Sequence, residues 1–578
     1  GNLNVIIGDN AGLVNTTGAN NVGVGGAALG ANTTGGQNIA IGDNSLSANT
    51  TASNNTSVGG YSMALNTTGN MNAALGYAAL YSNTTGVNNT AIGKSALYAN
   101  TTSPNNVAIG YAALDAQTTG AGYNVAVGYN SMTANTSGTE NTAAGWNSLG
   151  VNTTGSFNAA FGGGALDANT SASNNSAFGF KALTANTTGP DNTAIGFEAM
   201  KSNTTGNVNV AVGKQALYTN TTGYSNVGIG MKALYLNTTG HRNSVVGYEA
   251  LDANTTGYYN VAVGEASMGA NTDGHSNTAV GHEALLANTT GDTNVAVGNG
   301  ALTTATTAND NVAVGANALR LTTTGANNVA VGKSALDANT TGASNTAVGS
   351  SALQANTTGA GNTGVGGDNL KDNTTGASNT ALGFAALRYN TTAANNTAVG
   401  YYALLTNTTG GWNTAVGNNS IGSNTTGSEN AAVGFYSLQS LTTGSYNIGM
   451  GYGAGQTGVA ITTGVRNVCL GTYCHTSAVD STDQIVLGYN VVGSGNSIIT
   501  LGNGTTDSTM SYGGTSWSAP SDVRYKKNIQ DSTAGLSFVN DLRPVTFEWK
   551  DEGDLPEGHT ARVEGSTTPY NNSNINHG

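Results

Sequence analysis

The sequence predicts an all-β protein: a parallel β-solenoid, or β-roll, of about 27 coils with a 17-residue repeat, followed by a small α+β segment. Three observations predict it. A glycine recurs at a spacing of 17 from Gly8 through Gly25 and Gly42 to Gly451, stretched once to 18 between Gly110 and Gly128. Glycine supplies 85 of 578 residues while charged residues make up only 8%, about a third of ordinary usage. A 17-residue unit is too short for a helix–turn–helix repeat and suits one turn of a solenoid.

The unit reads N-T-A-V-G-x-x-A-L-x-A-N-T-T-G-x-x, as in "NTAVGHEALLANTTGDT" at residues 277–293. "NTAV" is the first strand. "ALxA" is expected to be a second, because a four-residue apolar run bounded by glycine is too short for a stable helix. The glycine anchor and the "NTTG" corner supply turns, with glycine free to take positive φ. The residue before the anchor is apolar in all 27 copies, for example Ile7, Val24, Phe161, Val280 and Met450. The residue four after it is Leu, Met or Ile in 25, failing only at Gly12 and Gly455. Both rows, Val and Leu, are expected in a core that no coil can bury alone. At the strand spacing of about 4.8 Å, 27 coils give a rod about 130 Å long.

Four residues before each anchor stands asparagine, in all 27 copies, among them Asn4, Asn21, Asn38, Asn277 and Asn447. Amides stacked at strand spacing hydrogen-bond up a column, so these residues are expected to form a structural ladder. A second asparagine column, in the "NTT" corner, makes an N-x-S/T sequon in 21 coils. Asn32, Asn288 and Asn339 are candidate glycan acceptors there; the plainer reading is a corner residue, since glycans about 5 Å apart would crowd.

The repeat resembles the head repeats of trimeric autotransporter adhesins, which are left-handed parallel β-rolls, and more closely the long repeat regions of phage tail-fibre and bacterial surface proteins. The resemblance covers about residues 4–502. It implies a homotrimer, three thin rolls side by side, because one small core is marginal by itself.

The position after each anchor is aromatic in 11 of 27 coils. Tyr77, Tyr111 and Trp146 are the candidates for receptor or sugar contact; packing at a subunit interface or along the roll edge is the competing reading. Asp115, Asp167, Asp252 and Asp337 are single surface charges, and no His/carboxylate/Ser constellation recurs. Cys469 and Cys474 are too few for a disulfide framework, and with His475 they lack a fourth metal ligand; they are expected to be buried or bonded to each other. No metal or cofactor is expected. A net charge of −13 and a pI near 4.7 exclude a nucleic-acid partner. No apolar run is long enough to span a bilayer. A start at Gly1 rather than Met implies a preceding portion.

The organisation expected is a shaft over residues 1–455, irregular terminal coils over 456–502, a linker over 503–520, and a different composition from 521 to 578. That last part opens with "SDVRYKKNIQ" and continues through "AGLSFVNDL", weakly helical, to "LRPVTFEWK", which alternates like a strand. It resembles the intramolecular chaperone domain of phage tail spikes and fibres, the endosialidase-type auto-processing family, whose opening S-D-x-R-x-K-x-N-I is matched by Ser521, Asp522, Arg524, Lys526, Asn528 and Ile529. The resemblance implies a domain that trimerises, templates the fibre and cuts itself off beside the serine. Ser521 would be the nucleophile and Lys526 the general base, a pairing of known chemistry. The chain ends at His577-Gly578, before the family's further apolar block and helices, so the domain is expected to be truncated.

These readings converge on the shaft of an extracellular homotrimeric fibre, foremost a phage tail fibre for host-surface attachment, with a self-cleaving chaperone. A bacterial surface adhesin or glycosylated filament is the alternative, and a glycan-cleaving tailspike the third. The expected partners are the chain itself, a host cell-surface glycan or protein, and a virion baseplate or cell-surface anchor. The setting is extracellular, on a virion tail or a cell surface.

Overall fold

A computed structural model describes residues 3–120, 122–456 and 458–517, together with 557 and 564–567. The chain divides into two compact units, residues 1–519 and 520–578. The first is a parallel β-solenoid of about 29 turns, without a helix among the described residues.

Each turn contributes one short strand. β1 (Val5–Ile7) through β27 (Ile448–Met450) are three residues long and pair in parallel with the next in chain order. The register steps by the repeat, Thr278 opposite Val295 and Val280 opposite Val297. It holds across the single 18-residue spacing, where Val107 pairs with Val125. β28 (Val468–Leu470), β29 (Ile485–Gly488) and β30 (Ile498–Gly502) continue the stack. β31 (Ser508–Ser511) turns back antiparallel on β30 and covers its free edge, a device that blocks edge-to-edge pairing.

The expected second strand is absent. In "ALxA" the leucine sits in the left-handed region, φ 55° at Leu285, and so does the residue two before it, φ 56° at Glu283. A third such residue precedes the strand, Ser276 at φ 59°. The coil closes through these three corners. Its backbone N–H groups bond to the coil behind and the coil ahead: Glu283 donates to Glu265 O (3.1 Å), Leu285 to Ala301 O (2.9 Å) and Thr289 to Thr306 O (2.9 Å). A left-handed leucine costs about 1–2 kcal/mol; the inter-coil bonds and the complete burial of its side chain offset that cost.

The glycine anchor has a stricter cause. Gly281 lies at φ 137°, a region open only to glycine, and a Cβ there would run into the carbonyl oxygen of Gly298. The corner glycine is different. No positive φ is needed at Gly35; what it needs is room beside Ala52 O and Asn32 Oδ1. Ala52, Ser103, Ala172, Ala308 and Ala393 take that place in five coils, so the corner yields where the anchor does not.

The core is thinner than the sequence suggests. Ala279, Ala284 and Leu285 are fully buried and stack on their counterparts in the neighbouring coils. The valine before the anchor is not in that core. Only the middle residue of the strand points inward, and the residues on either side of it face out. Where Leu is missing at Gly12, the position is covered by Ile6; at Gly455 it is covered by Leu438 and Ile461.

Candidate functional site

From Asn21 onward the strand asparagines are fully buried and their side-chain polar atoms all have partners; Asn4, in the first coil, is half-buried. Asn21 takes its backbone N–H to Asn4 Oδ1 (2.8 Å) and its side-chain amide to Gly35 O (2.9 Å). Asn38 repeats this on Asn21 (2.9 Å), Asn277 on Asn260 (3.0 Å) and Asn447 on Asn430 (2.9 Å). The side-chain oxygen thus accepts the backbone donor of the next coil, where no strand partner is available. Asp could not donate, and Gln is one methylene too long, although Gln484 holds the place in a terminal coil.

The corner asparagines form a second ladder by side chain alone. Asn32 Nδ2 donates to Asn15 Oδ1 (3.0 Å) and to Gly35 O (3.0 Å). Asn288 Nδ2 donates to Asn271 Oδ1 (2.7 Å) and Gly291 O (3.0 Å). Asn339 Nδ2 reaches Thr322 Oγ1 (3.4 Å) and Gly342 O (3.0 Å). All three side chains are buried. A glycan attaches at that nitrogen, so an acceptor here has to be modified before its coil closes.

The aromatic residues after the anchor are exposed, and neighbouring coils put them in contact. Tyr111 stacks on Tyr129 with centroids 5.3 Å apart, and the Lys94 ammonium lies 5.8 Å from the Tyr111 ring. Trp146 reaches over Gly163, which has no side chain to obstruct it, towards Phe180 at 6.4 Å. Tyr77 meets Tyr61 edge to face at 5.9 Å and opens onto a cleft of about 260 Å³ lined by Tyr61, Ala78, Tyr81, Ser95 and Tyr98. A longer row, Tyr224, His241, Tyr258 and His275, stacks at 4.7–5.1 Å and ends with His275 Nε2 at 3.2 Å from Asp292. Rings stacked face to face turn only their edges outward; the edge-to-face pair at Tyr77 leaves a ring face free.

The single carboxylates stay apart from one another. Burial holds the half-buried Asp115, Asp167 and Asp252 above the usual carboxylate range. Cys469 and Cys474 are free, buried thiols; the hydrogen bond between them and then burial push the Cys469 thiol well up. His475 is buried beside them, with its Nδ1 at 3.1 Å from Thr476 O. Among the described residues no group of three His, Cys, Asp or Glu could hold a metal, and no helix is long and apolar enough to cross a membrane.

Ser521 and Lys526 lie outside the described residues, as do "AGLSFVNDL" and "LRPVTFEWK". The sequence reading missed one surface. The residues on each side of the buried strand centre form two outward rows along the rod, with Ile41 40% exposed, Val127 37%, Phe161 38% and Leu382 38%. Neither row contains a charged residue in any coil, while the rows beside the anchor do. That absence was the available signal.

No curated protein and no solved structure matches the chain. Residues 521–563 match the family described as chaperone of endosialidase, a span that contains both Ser521–Ile529 and Leu542–Lys550. The chain thus joins a long β-solenoid shaft to a C-terminal segment of the chaperone-of-endosialidase type.

Proposed function

We propose that this protein is the shaft of an extracellular homotrimeric fibre that reaches a host surface, foremost a phage tail fibre, assembled by its C-terminal chaperone segment. One observation carries the reading: a solenoid of some 29 turns runs up to a segment matching the chaperone of endosialidase family. Stacked coils give length and stiffness, and a trimerising segment at one end sets three shafts in register. Recognition then falls to side chains that stand off the rod. Tyr77 in its tyrosine cleft is the best placed of them for a sugar ring, with Tyr111 and Trp146 on the same face.

In this reading Ser521 attacks the peptide bond next to it and Lys526 takes its proton. Lys526 needs a depressed pKa for that role, which burial or the neighbouring Arg524 and Lys527 would supply. The test is the denatured intact mass of the chain taken from its native source, with S521A and K526A made alongside. A wild-type chain ending at Pro520, with both variants full-length, supports the assignment. A full-length wild type, or cleavage that S521A leaves unchanged, overturns the autoproteolysis. Light scattering of the assembled protein is expected to give three chains; a single-chain mass would overturn the fibre reading.

A further inference from the structure

We propose that the corner at Trp412 and Glu429 is a binding site for a protonated primary amine, carried on a sugar or a headgroup of the surface that the rod meets. The amine chemistry stands by itself; that the amine belongs to a host surface rests on the fibre reading. The site is separate from the tyrosine cleft at Tyr77.

Trp412, Glu429 and Tyr446 occupy the same left-handed corner of three successive coils, at φ 56°, 59° and 60°. The strands that follow pair Thr414 with Ala431 and Ala431 with Ile448. The three side chains therefore leave the rod about 4.8 Å apart along its axis. Trp412 is 64% exposed, and among the described residues no other ring stacks on it, so its face is free. Beside it opens a cleft of about 430 Å³, lined by Trp412, Thr414, Glu429, Asn430 and Ala431. That is larger than the cleft at Tyr77 and within the range of small-molecule sites.

Charge selects the ligand. Glu429 is the only charged residue between Arg388 and Arg466. Both arginines face other carboxylates, Arg388 towards Asp368 at 4.0 Å and Arg466 on Asp483 at 2.7 Å. Glu249 and Asp337, by contrast, each have a cation one coil away, Lys232 at 2.8 Å and Arg320 at 2.7 Å. Glu429 has only the Tyr446 hydroxyl, which donates a hydrogen bond to it. A carboxylate offers about four lone-pair sites, so most of its capacity is open. A cation bound by Glu429 on the Trp412 side lies one coil from the indole, inside the about 6 Å over which an aromatic face attracts positive charge. A primary ammonium satisfies both neighbours, since its N–H groups donate to the carboxylate. An anion is repelled here, and a neutral sugar leaves the charge unanswered. The Thr414 hydroxyl lines the same cleft and can bond a hydroxyl beside the amine.

The test is calorimetric titration of the full-length assembled protein in mildly acidic buffer with three probes: a glucosamine trimer, its N-acetylated counterpart and phosphoethanolamine. Acetylation keeps the sugar ring and removes the charge. Binding of the glucosamine trimer or of phosphoethanolamine, without binding of the acetylated trimer, is expected, and the one that binds identifies the source of the amine. E429Q and W412A are each expected to weaken that binding about tenfold, with the solenoid's circular dichroism unchanged, whereas Y77A leaves it as it was. E429Q keeps the shape of the side chain and decides the matter if W412A disturbs its corner. No binding of either amine, equal binding of the acetylated trimer, or an affinity that E429Q leaves unchanged would overturn the site. A three-chain mass in the same preparation would leave the fibre reading standing.

Discussion

The two asparagine columns run side by side at the same corner of the coil and differ in how strictly they are kept. The strand column is unbroken over 27 coils; the corner column is interrupted by Gln117, Ala305, Thr322 and Leu441. Both are buried and both are hydrogen-bonded to the same corner carbonyl, Asn277 and Asn288 meeting at Gly291 O. What differs is the group served on the neighbouring coil. Asn277 Oδ1 accepts the backbone N–H of Asn294 (2.9 Å), a donor that every residue except proline supplies. Asn271 Oδ1 accepts a side-chain amide, that of Asn288, which disappears when the next residue changes. An amide that completes a backbone is irreplaceable; one that completes another side chain can be lost in a matched step.

The breaks leave marks. Asn100, Asn288 and Asn424 have buried side-chain oxygens without a partner, and each stands one coil before a break, at Gln117, Ala305 and Leu441. At Thr322 the mismatch is softened, because the hydroxyl accepts from Asn339 at 3.4 Å. An unmet buried acceptor costs about 1–3 kcal/mol, which a rod with so many intact rungs tolerates because its stability is summed over neighbours.

Substitution with charge should separate the columns most. N277D keeps the shape but cannot donate to Gly291 O when ionised. It buries a carboxylate with no counter-charge, and breaking such balance costs about 3–5 kcal/mol. The folded-state pKa of that aspartate lies above its unfolded value near 3.9, so the penalty is absent in acid and develops as pH rises through 3.9. Urea midpoints at pH 3.5 and pH 7 are expected to diverge from wild type only at the higher value. Equal loss at both would show that the amide's donor role is minor.

N277A comes next. It strands the N–H of Asn294 and is expected to cost about 2–3 kcal/mol, read as faster hydrogen exchange at Asn294 and in the coils beside it. N271A, in the corner column, strands no backbone group: it leaves unmet Asn254 Oδ1, which now accepts from Asn271 (2.9 Å), and one hydrogen of Asn288 Nδ2, which now donates to Asn271 Oδ1 (2.7 Å). About 1–2 kcal/mol is expected. If the two alanine variants proved equal, the distinction between backbone and side-chain rungs would fall.

Much of this was legible in the chain. The anchor glycine and both columns could be read because the same residue recurs wherever the same backbone constraint recurs. The direction of the strand could not. Alternation in Thr278-Ala279-Val280 says that the valine and the threonine share a face, yet not whether that face is inside. Size suggested that valine would be buried, and the structure buries alanine instead, because the coil is narrow. The left-handed Leu285 was hidden for a different reason: residue preference assigns that conformation to glycine and asparagine, and only the closure of the coil onto its neighbours imposes it on leucine. The proposed pairing of Ser521 with Lys526 was readable only as a motif, since both residues fall outside the described residues.

The smallest expected effect runs in the opposite direction. Ala305 is a fully buried gap in the corner column, with the unmet Asn288 Oδ1 one coil before it and the Thr322 hydroxyl one coil after. A305N would place an amide nitrogen against Asn288 Oδ1 and against Ala308 O, the corner carbonyl that Asn294 Nδ2 already uses at 2.7 Å. Its own oxygen would face the Thr322 hydroxyl, which can donate to it. Every new polar group then has a partner, and one existing orphan is satisfied. A gain of about 1 kcal/mol is expected, seen as slower exchange at Thr289 and Thr306, whose backbones bond across this rung at 2.9 Å. Because Ala308 takes the place of the usual corner glycine here, A308G in the same chain tests whether room is limiting. If A305N stabilises only when joined to A308G, the corner's close approach set the break; if it destabilises in both, the column tolerates gaps because a narrow coil cannot hold the amide there.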